Sequence, residues 1–460
     1  MSPSTVSSVT FAVWNAHWQV IQEVHLNPLA YETGSATGIF DLLHDAVEAF
    51  HTFADHHFHF FARGFLSTSP TLTLSPQLPP DVVLDHLLGR ISQEVHRLQQ
   101  IAVQRMNGFL PGVALRELAR ADALAALALQ PALECGWLHP RTQIVTYFDR
   151  LIPGYRMPYG HLAFLSLPSS AVKVPRDLLA VLHEAGHHVY ANGTLPVEEA
   201  AQSIAIRGWV EKTLHQDFAQ HPWLMRWAAE IFADVYGCLI GGEALALNTQ
   251  LQAQVCAVGS STAITPHLLA DAPHRPVPFF RPEIALAVLR RLGTPGAAVL
   301  AGRWGEWQED ALAAFDEAPA LYHTMLRAVF GDVEGDSFDS AAAHIRAVLS
   351  GFVEALLDAL IGEDTGGWPT LDLPGFDSSR SEADNWKHTN AALKALPQAE
   401  RDVTYPAINI EWEAWRKRIC ARVYAEASII PPTDGTRWTV EQWMPIYLAD
   451  GWTAEARPRL

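Results

Sequence analysis

Apolar residues recur at three-and-four spacing through most of this chain, as in residues 82–106, 115–129, 341–361 and 412–427. On a helix of 3.6 residues per turn that spacing gathers the apolar side chains into one stripe, so the pattern predicts a mainly α protein. One stretch departs from it. Residues 142–148 and 161–167 are short β-branched or aromatic runs divided by Pro153, Gly154, Pro158 and Gly160, which predicts two strands of a small β-sheet. A helix should follow, with Pro175 in its first turn, Asp177 beside it, Leu178, Leu179, Leu182 and Val189 as apolar contacts, and Asn192 and Gly193 as its stop.

Turn chemistry replaces periodicity at 67–80, 266–282 and 362–381. The 460 residues are enough for several domains of ~100–200 residues. The expected organisation is a helical N-terminal region (1–135), a central region holding the small sheet (136–282) and a helical C-terminal region (283–460).

Charge narrows the partners. Lys and Arg number 32 against 50 Asp and Glu, a formal net charge of −18, and that field repels a polyanionic backbone, so nucleic acid is not an expected partner. No apolar run approaches the ~20 residues of a membrane-spanning helix, so no transmembrane segment is expected. Residues 1–5 lack a basic segment leading into an apolar one, which makes the cytoplasm the expected compartment. The cysteines, Cys135, Cys238, Cys256 and Cys420, are far apart and show no C-x-x-C spacing, so a metal site must draw on other ligands.

Those ligands stand in the central helix, in His183-Glu184-Ala185-Gly186-His187. Residues four apart share a helix face, so both imidazoles can reach one cation while Glu184 projects beside them towards a water on that cation. Glu184 is the only charged residue from Ala180 to Val189, as burial against a sheet requires. Ala185 and Gly186 are small enough to admit another backbone, the usual reason for tolerating a helix glycine's cost of ~1 kcal/mol. A tetrahedral catalytic zinc takes three protein ligands. The third is expected from a helix over 222–240, opened by Pro222, closed by Gly241 and Gly242, with Trp227, Ile231, Val235 and Leu239 as its apolar stripe. There Glu230 can ligate one Zn2+ per chain, and Asp234, one turn on, can accept a ligand histidine's ring N–H.

The pattern H-E-x-x-H with a later E-x-x-x-D resembles the gluzincin metallopeptidases over residues 142–281. Glu230-Ile231-Phe232-Ala233-Asp234 also has the E-x-x-A-D form of the HtpX-like and CAAX-processing peptidases. In that family an H-P-P segment and an Arg follow. Here residues 273–278 and Arg281 match it loosely, Arg275 interrupts the H-P-P, and the family's membrane helices are missing.

The resemblance implies a zincin-like core in the central region and a peptide or protein substrate. It implies a substrate strand laid along His161, Leu162, Ala163 and Phe164, Glu184 as general base, and an oxyanion donor, with His274 favoured and Tyr236 and His267 as alternatives. No G-x-M-E-N-like amine-binding segment precedes the zinc helix, which favours endopeptidase over aminopeptidase. The alternatives are a noncatalytic regulatory or sensing protein on a zincin scaffold, and a zinc-dependent hydrolase of a non-peptide amide. The helical flanks offer surface for a protein partner.

A second cluster, His44, Glu48, His51, Asp55 and His59, shares one helix stripe. It is expected to be the solvated face opposite Phe50, Phe53 and Phe58, with a second metal site as the alternative.

Overall fold

A computed structural model describes residues 8–34, 38–66, 72–73, 80–106, 109–149, 161–196, 203–258, 276–313, 319–331, 337–362, 368, 370–396 and 438–439. The chain is mainly helical with a little β-structure. The first half runs α1 (Ser8–Val20), a π turn (Ile21–Leu26), α2 (Asn27–Gly34), α3 (Ile39–Leu66), β1 (Leu72–Thr73), α4 (Pro80–Arg105), α5 (Gly112–Glu134), β2 (Gln143–Asp149) and β3 (Leu162–Pro168). Then come α6 (Ala180–Asn192), β4 (Thr194–Pro196), β5 (Ser203–Ala205), α7 (Ile206–Asp217), α8 (Pro222–Val258), α9 (Arg281–Leu292), α10 (Ala297–Ala313), α11 (Pro319–Phe330), α12 (Phe338–Ile361), α13 (Glu382–Ala395) and β6 (Trp438–Thr439).

The strands pair in twos, β1 with β6, β2 with β3 and β4 with β5. No helix among the described residues is long and apolar enough to cross a membrane. The helix expected over 412–427 lies outside the described residues.

The first helix shows how the apolar pattern dictates geometry. Its buried residues run Trp14, Trp18, Ile21, then Leu26, Leu29 and Thr33. The step of five from Ile21 to Leu26 would rotate the stripe off an α-helix, and the π turn absorbs the extra residue. Backbone angles stay helical at Val20 and Asn27, on either side of the turn, so Ser8–Gly34 is one continuous rod.

β2 and β3 run parallel, in register from Gln143 opposite Leu162 to Asp149 opposite Pro168. Alternation along the strands sends Val145, Tyr147 and Leu162 into a core built with α1–α4, and Phe148, Ala163, Leu165 and Leu167 into a larger core. The pair is thus covered on both faces, as parallel strands require. The larger core draws on residues from Ala114 to Leu393 and includes helices on both sides of the loose boundaries near 135 and 282.

The outer edge of β2 is closed by side chains. Gln143 N–H donates to His161 O across the pair at 2.6 Å, so the main-chain groups of Thr146 and Phe148 point away from β3. Thr146 N–H donates to Asp122 (2.9 Å), and its carbonyl accepts from Arg105. Phe148 N–H donates to Gln104 (2.7 Å), and its carbonyl accepts from Gln104 (2.7 Å) and Gln100 (3.0 Å). Arg105 and Asp122 also form a two-pronged ion pair at 2.7 and 2.8 Å. This polar clamp occupies the main-chain groups along the outer edge of β2.

The His-rich stripe of α3 is solvated only in part: Glu48 is exposed, while His44, His51, Asp55 and His59 are half-buried. Three of them are bonded to the first rod, where Trp18 Nε1–H donates to Asp55 (3.3 Å), Gln22 pairs with His51 (3.1 Å) and His44 Nδ1–H donates to Ala30 O (2.9 Å). Burial pushes the neighbouring His57 imidazole down to about 3, so it stays neutral against the edge of Phe53.

Candidate metal centre

The centre forms where α6 crosses α8. The chain enters α6 through a short 3-10 turn (Pro175–Leu179) and leaves it at Gly193, whose backbone is extended. A Cβ added to Gly186 would sit 2.8 Å from both the Cα and the carbonyl oxygen of Ala233, and one added to Gly237 would sit 3.2 Å from His183 N. Each helix thus presents a glycine to the other's backbone, and the two pack closer than side chains would allow. α8 is interrupted at Gly242, where the sequence places the stop of its first part. Gly242 breaks the helical angles (φ 53°, ψ −139°), and helix resumes to Val258.

The close crossing brings the three expected ligands together. His183 Nε2 lies 3.4 Å from Glu230 Oε2, and His187 Nε2 lies 3.3 Å from Glu230 Oε1. One donor atom from each residue falls within 4.8 Å of the others, the only such group of three or more His, Cys, Asp or Glu among the described residues. The imidazole rings stand nearly perpendicular at 83°, as two rings converging on one point from successive helix turns must. Ligands ~2.1 Å from a tetrahedral zinc lie roughly 3.4 Å apart, and each histidine nitrogen lies about that far from one of the two Glu230 oxygens. Two imidazoles and a carboxylate are also a donor set that zinc accepts.

Behind the ligands stands a second layer. His183 Nδ1–H donates to Asp234 at 2.8 Å, which orients the ring and turns Nε2 towards Glu230, the nitrogen that a metal would take in exchange for its proton. Asp234 is in turn held by Arg281, the first residue of α9, through Nε (2.8 Å) and Nη2 (2.9 Å). Burial opposes charge on both partners. On His183 the Asp234 carboxylate and Glu230 outweigh burial and raise the imidazole to about 9. On Asp234 the Arg281 guanidinium and His183 outweigh burial and hold the carboxyl below its usual range.

Glu184 is buried, and its charge reaches Tyr147 on β2. Burial, only partly offset by Arg97, together with the charges of Asp149, Glu184 and Glu94 pushes that phenol up to about 12. Beside the two histidines the carboxylates Glu230 and Asp234 both face Arg281, at 3.8 and 2.8 Å.

Other expected residues fare differently. His267 and His274 lie outside the described residues. Tyr236 does not serve as an oxyanion donor here, because its hydroxyl is buried against α5 and donates to Ala128 O at 2.7 Å. Leu162 and Ala163 are buried, so β3 offers a ligand its main chain there. Phe164 lies under the Arg97 guanidinium at 5.4 Å, and His161 stacks on His139. Arg281, read from the sequence only as a loose family match, turns out to be the residue that clamps Asp234. Its signal was position, an arginine opening a helix just after a proline-rich run, with a buried acid elsewhere needing a partner.

No protein-family model matches the chain, and no match is found among curated proteins or solved structures.

The clamp makes a prediction. Asp234→Asn and Arg281→Met are each expected to weaken zinc binding about 10- to 100-fold, the usual effect of losing the group that orients a ligand histidine. Competition against a fluorescent zinc chelator measures it. Unchanged affinity in both variants would detach the clamp from the metal site.

Proposed function

We propose that the chain is a zinc-dependent metallopeptidase, favouring internal peptide bonds, with a zincin-like core made by β2, β3, α6 and α8. The observation that carries this reading is the pair of nitrogen–oxygen separations, 3.4 and 3.3 Å, between Glu230 and the two histidines of one helix face. A zinc ion held there would polarise a substrate carbonyl and make water acidic enough to lose a proton near neutral pH.

The chain's own residues do the rest. Glu184, one residue beyond His183 on the same helix, accepts the proton of the attacking water and returns it to the leaving amine. Asp234 and Arg281 keep the His183 ring oriented with Nε2 towards Glu230. β2 packs beside α5 and β3 beside α6, while α8 lies along α6. In this reading the outer edge of β3 receives the substrate. An extended peptide can lie along that edge with its main chain bonded to β3, since the α4 and α5 clamp closes the other edge.

The test is metal stoichiometry followed by a peptide library. Reconstituted protein is expected to hold about one zinc per chain, lost in His187→Ala and in Glu230→Ala, and the zinc-loaded wild type is expected to cut peptides internally. Wild type without zinc, or zinc untouched by either substitution, removes the reading.

A further inference from the structure

The outer face of the first rod carries an apolar stripe unlike any other in the described structure. Val13, Val20, Val24 and Tyr31 are 49, 52, 58 and 82 % exposed. They lie opposite the buried line of Trp14, Trp18, Ile21, Leu26 and Leu29. Among the exposed residues from Ala12 to Tyr31, Glu23 is the only acid, and there is no Lys or Arg. A solvated helix face would carry charges at several of those positions, above all in a chain with 50 acidic residues. A nearly uncharged apolar face of this length is the mark of a contact surface.

The spacing of the stripe identifies the occupant. Its steps are seven, four and seven residues, and that series reads the same in either direction. We propose that this face pairs with a second copy of the chain, the two rods running antiparallel about a two-fold axis midway between Val20 and Val24. Val20 then meets Val24 of the partner subunit, Val13 meets Tyr31 of the partner subunit, and His17 meets Asn27 of the partner subunit. Every contact occurs twice, as an isologous interface demands.

Antiparallel pairing sets a large Tyr against a small Val at each end, which keeps the layers even. Parallel pairing would crowd two Tyr at one end and leave two Val apart at the other. Opposed helix dipoles favour the same choice. Two copies each carrying −18 repel at any charged surface, and this strip, whose one exposed acid is Glu23, is where they can approach. A contact made by one helix falls below the ~1,200–2,000 Å² of a standard interface. The dimer is therefore concentration-dependent, with Kd in the micromolar range. The pairing does not depend on the metal-centre reading.

Sedimentation equilibrium of the full chain across the micromolar range is expected to show a monomer–dimer equilibrium. The double variant Val20→Glu, Val24→Glu should shift it to monomer, with far-UV circular dichroism unchanged. Cysteine cross-linking fixes the geometry. A mixture of Val13→Cys and Tyr31→Cys chains is expected to form a heterodisulfide absent from wild type. Val13→Cys alone should not link to itself, because the two copies of that residue would lie roughly 27 Å apart along the rods.

Three outcomes each overturn the proposal. They are a wild type that stays monomeric, as it would if another segment or a different protein covered the face, a dimer indifferent to the two glutamates, and Val13→Cys linking to itself.

Discussion

Glu184→Gln is expected to lower kcat for peptide hydrolysis by about 10³-fold while leaving zinc stoichiometry as in wild type. Glutamine keeps the shape and much of the hydrogen bonding of glutamate, so the buried position on α6 should tolerate it, but it cannot take a proton from water. A 10³-fold loss corresponds to ~4 kcal/mol of transition-state stabilisation, within the range of one general base. The metal should stay because Glu184 is not one of the three converging donors, His183, His187 and Glu230. The measurement is steady-state cleavage of a quenched fluorescent peptide beside elemental analysis of the same preparation. If the variant keeps wild-type kcat, Glu184 is not the base. If zinc disappears with activity, Glu184 supports the site and the assigned roles are wrong.

The convergence of His183, His187 and Glu230 was legible because its parts obey helical spacing. His183 and His187 are four apart, as are Glu230 and Asp234, and each pair lies on a helix whose apolar stripe could be read independently. The approach of α8 to α6 was half legible. Gly186 announced that a backbone comes close, and the matching signal lay unread in the ladder Ala229, Ala233, Gly237 and Gly241, small residues every fourth position. That ladder marks the face of α8 that meets α6 and sets Glu230 and Asp234 at its border, one residue past Ala229 and Ala233.

Four features could not be read from spacing. The parallel pairing of β2 and β3, and the closure of one edge by Gln104, Arg105 and Asp122, depend on side chains from helices distant in sequence. The Arg281 clamp spans a proline-rich segment with no periodicity. The stripe on α3 looked solvated because polar residues at helical spacing look the same facing water or facing Trp18 and Gln22 of another helix.

The crossing yields the second large expected effect, and its sign runs against helix propensity. Replacing glycine inside a helix with alanine ordinarily stabilises by up to ~1 kcal/mol. Gly305 in α10 and Gly208 in α7 should behave so, since a Cβ there meets nothing within 4 Å. At Gly186 the same Cβ lands 2.8 Å from the Cα and the carbonyl oxygen of Ala233, backbone atoms that cannot rotate away. The two helices must separate, and overpacking of this kind costs about 1–3 kcal/mol, more than the propensity gain.

Gly186→Ala is therefore expected to lower the apparent Tm while Gly305→Ala raises it, and Gly186→Val should fall further, because two more methyl groups meet the same wall. Zinc affinity should fall with stability in the Gly186 variants alone, since moving α8 outward carries Glu230 away from both histidines. Thermal melts with and without added zinc separate the two effects. A Gly186→Ala protein as stable as Gly305→Ala, with full zinc affinity, would mean that the helices do not touch where these residues place them.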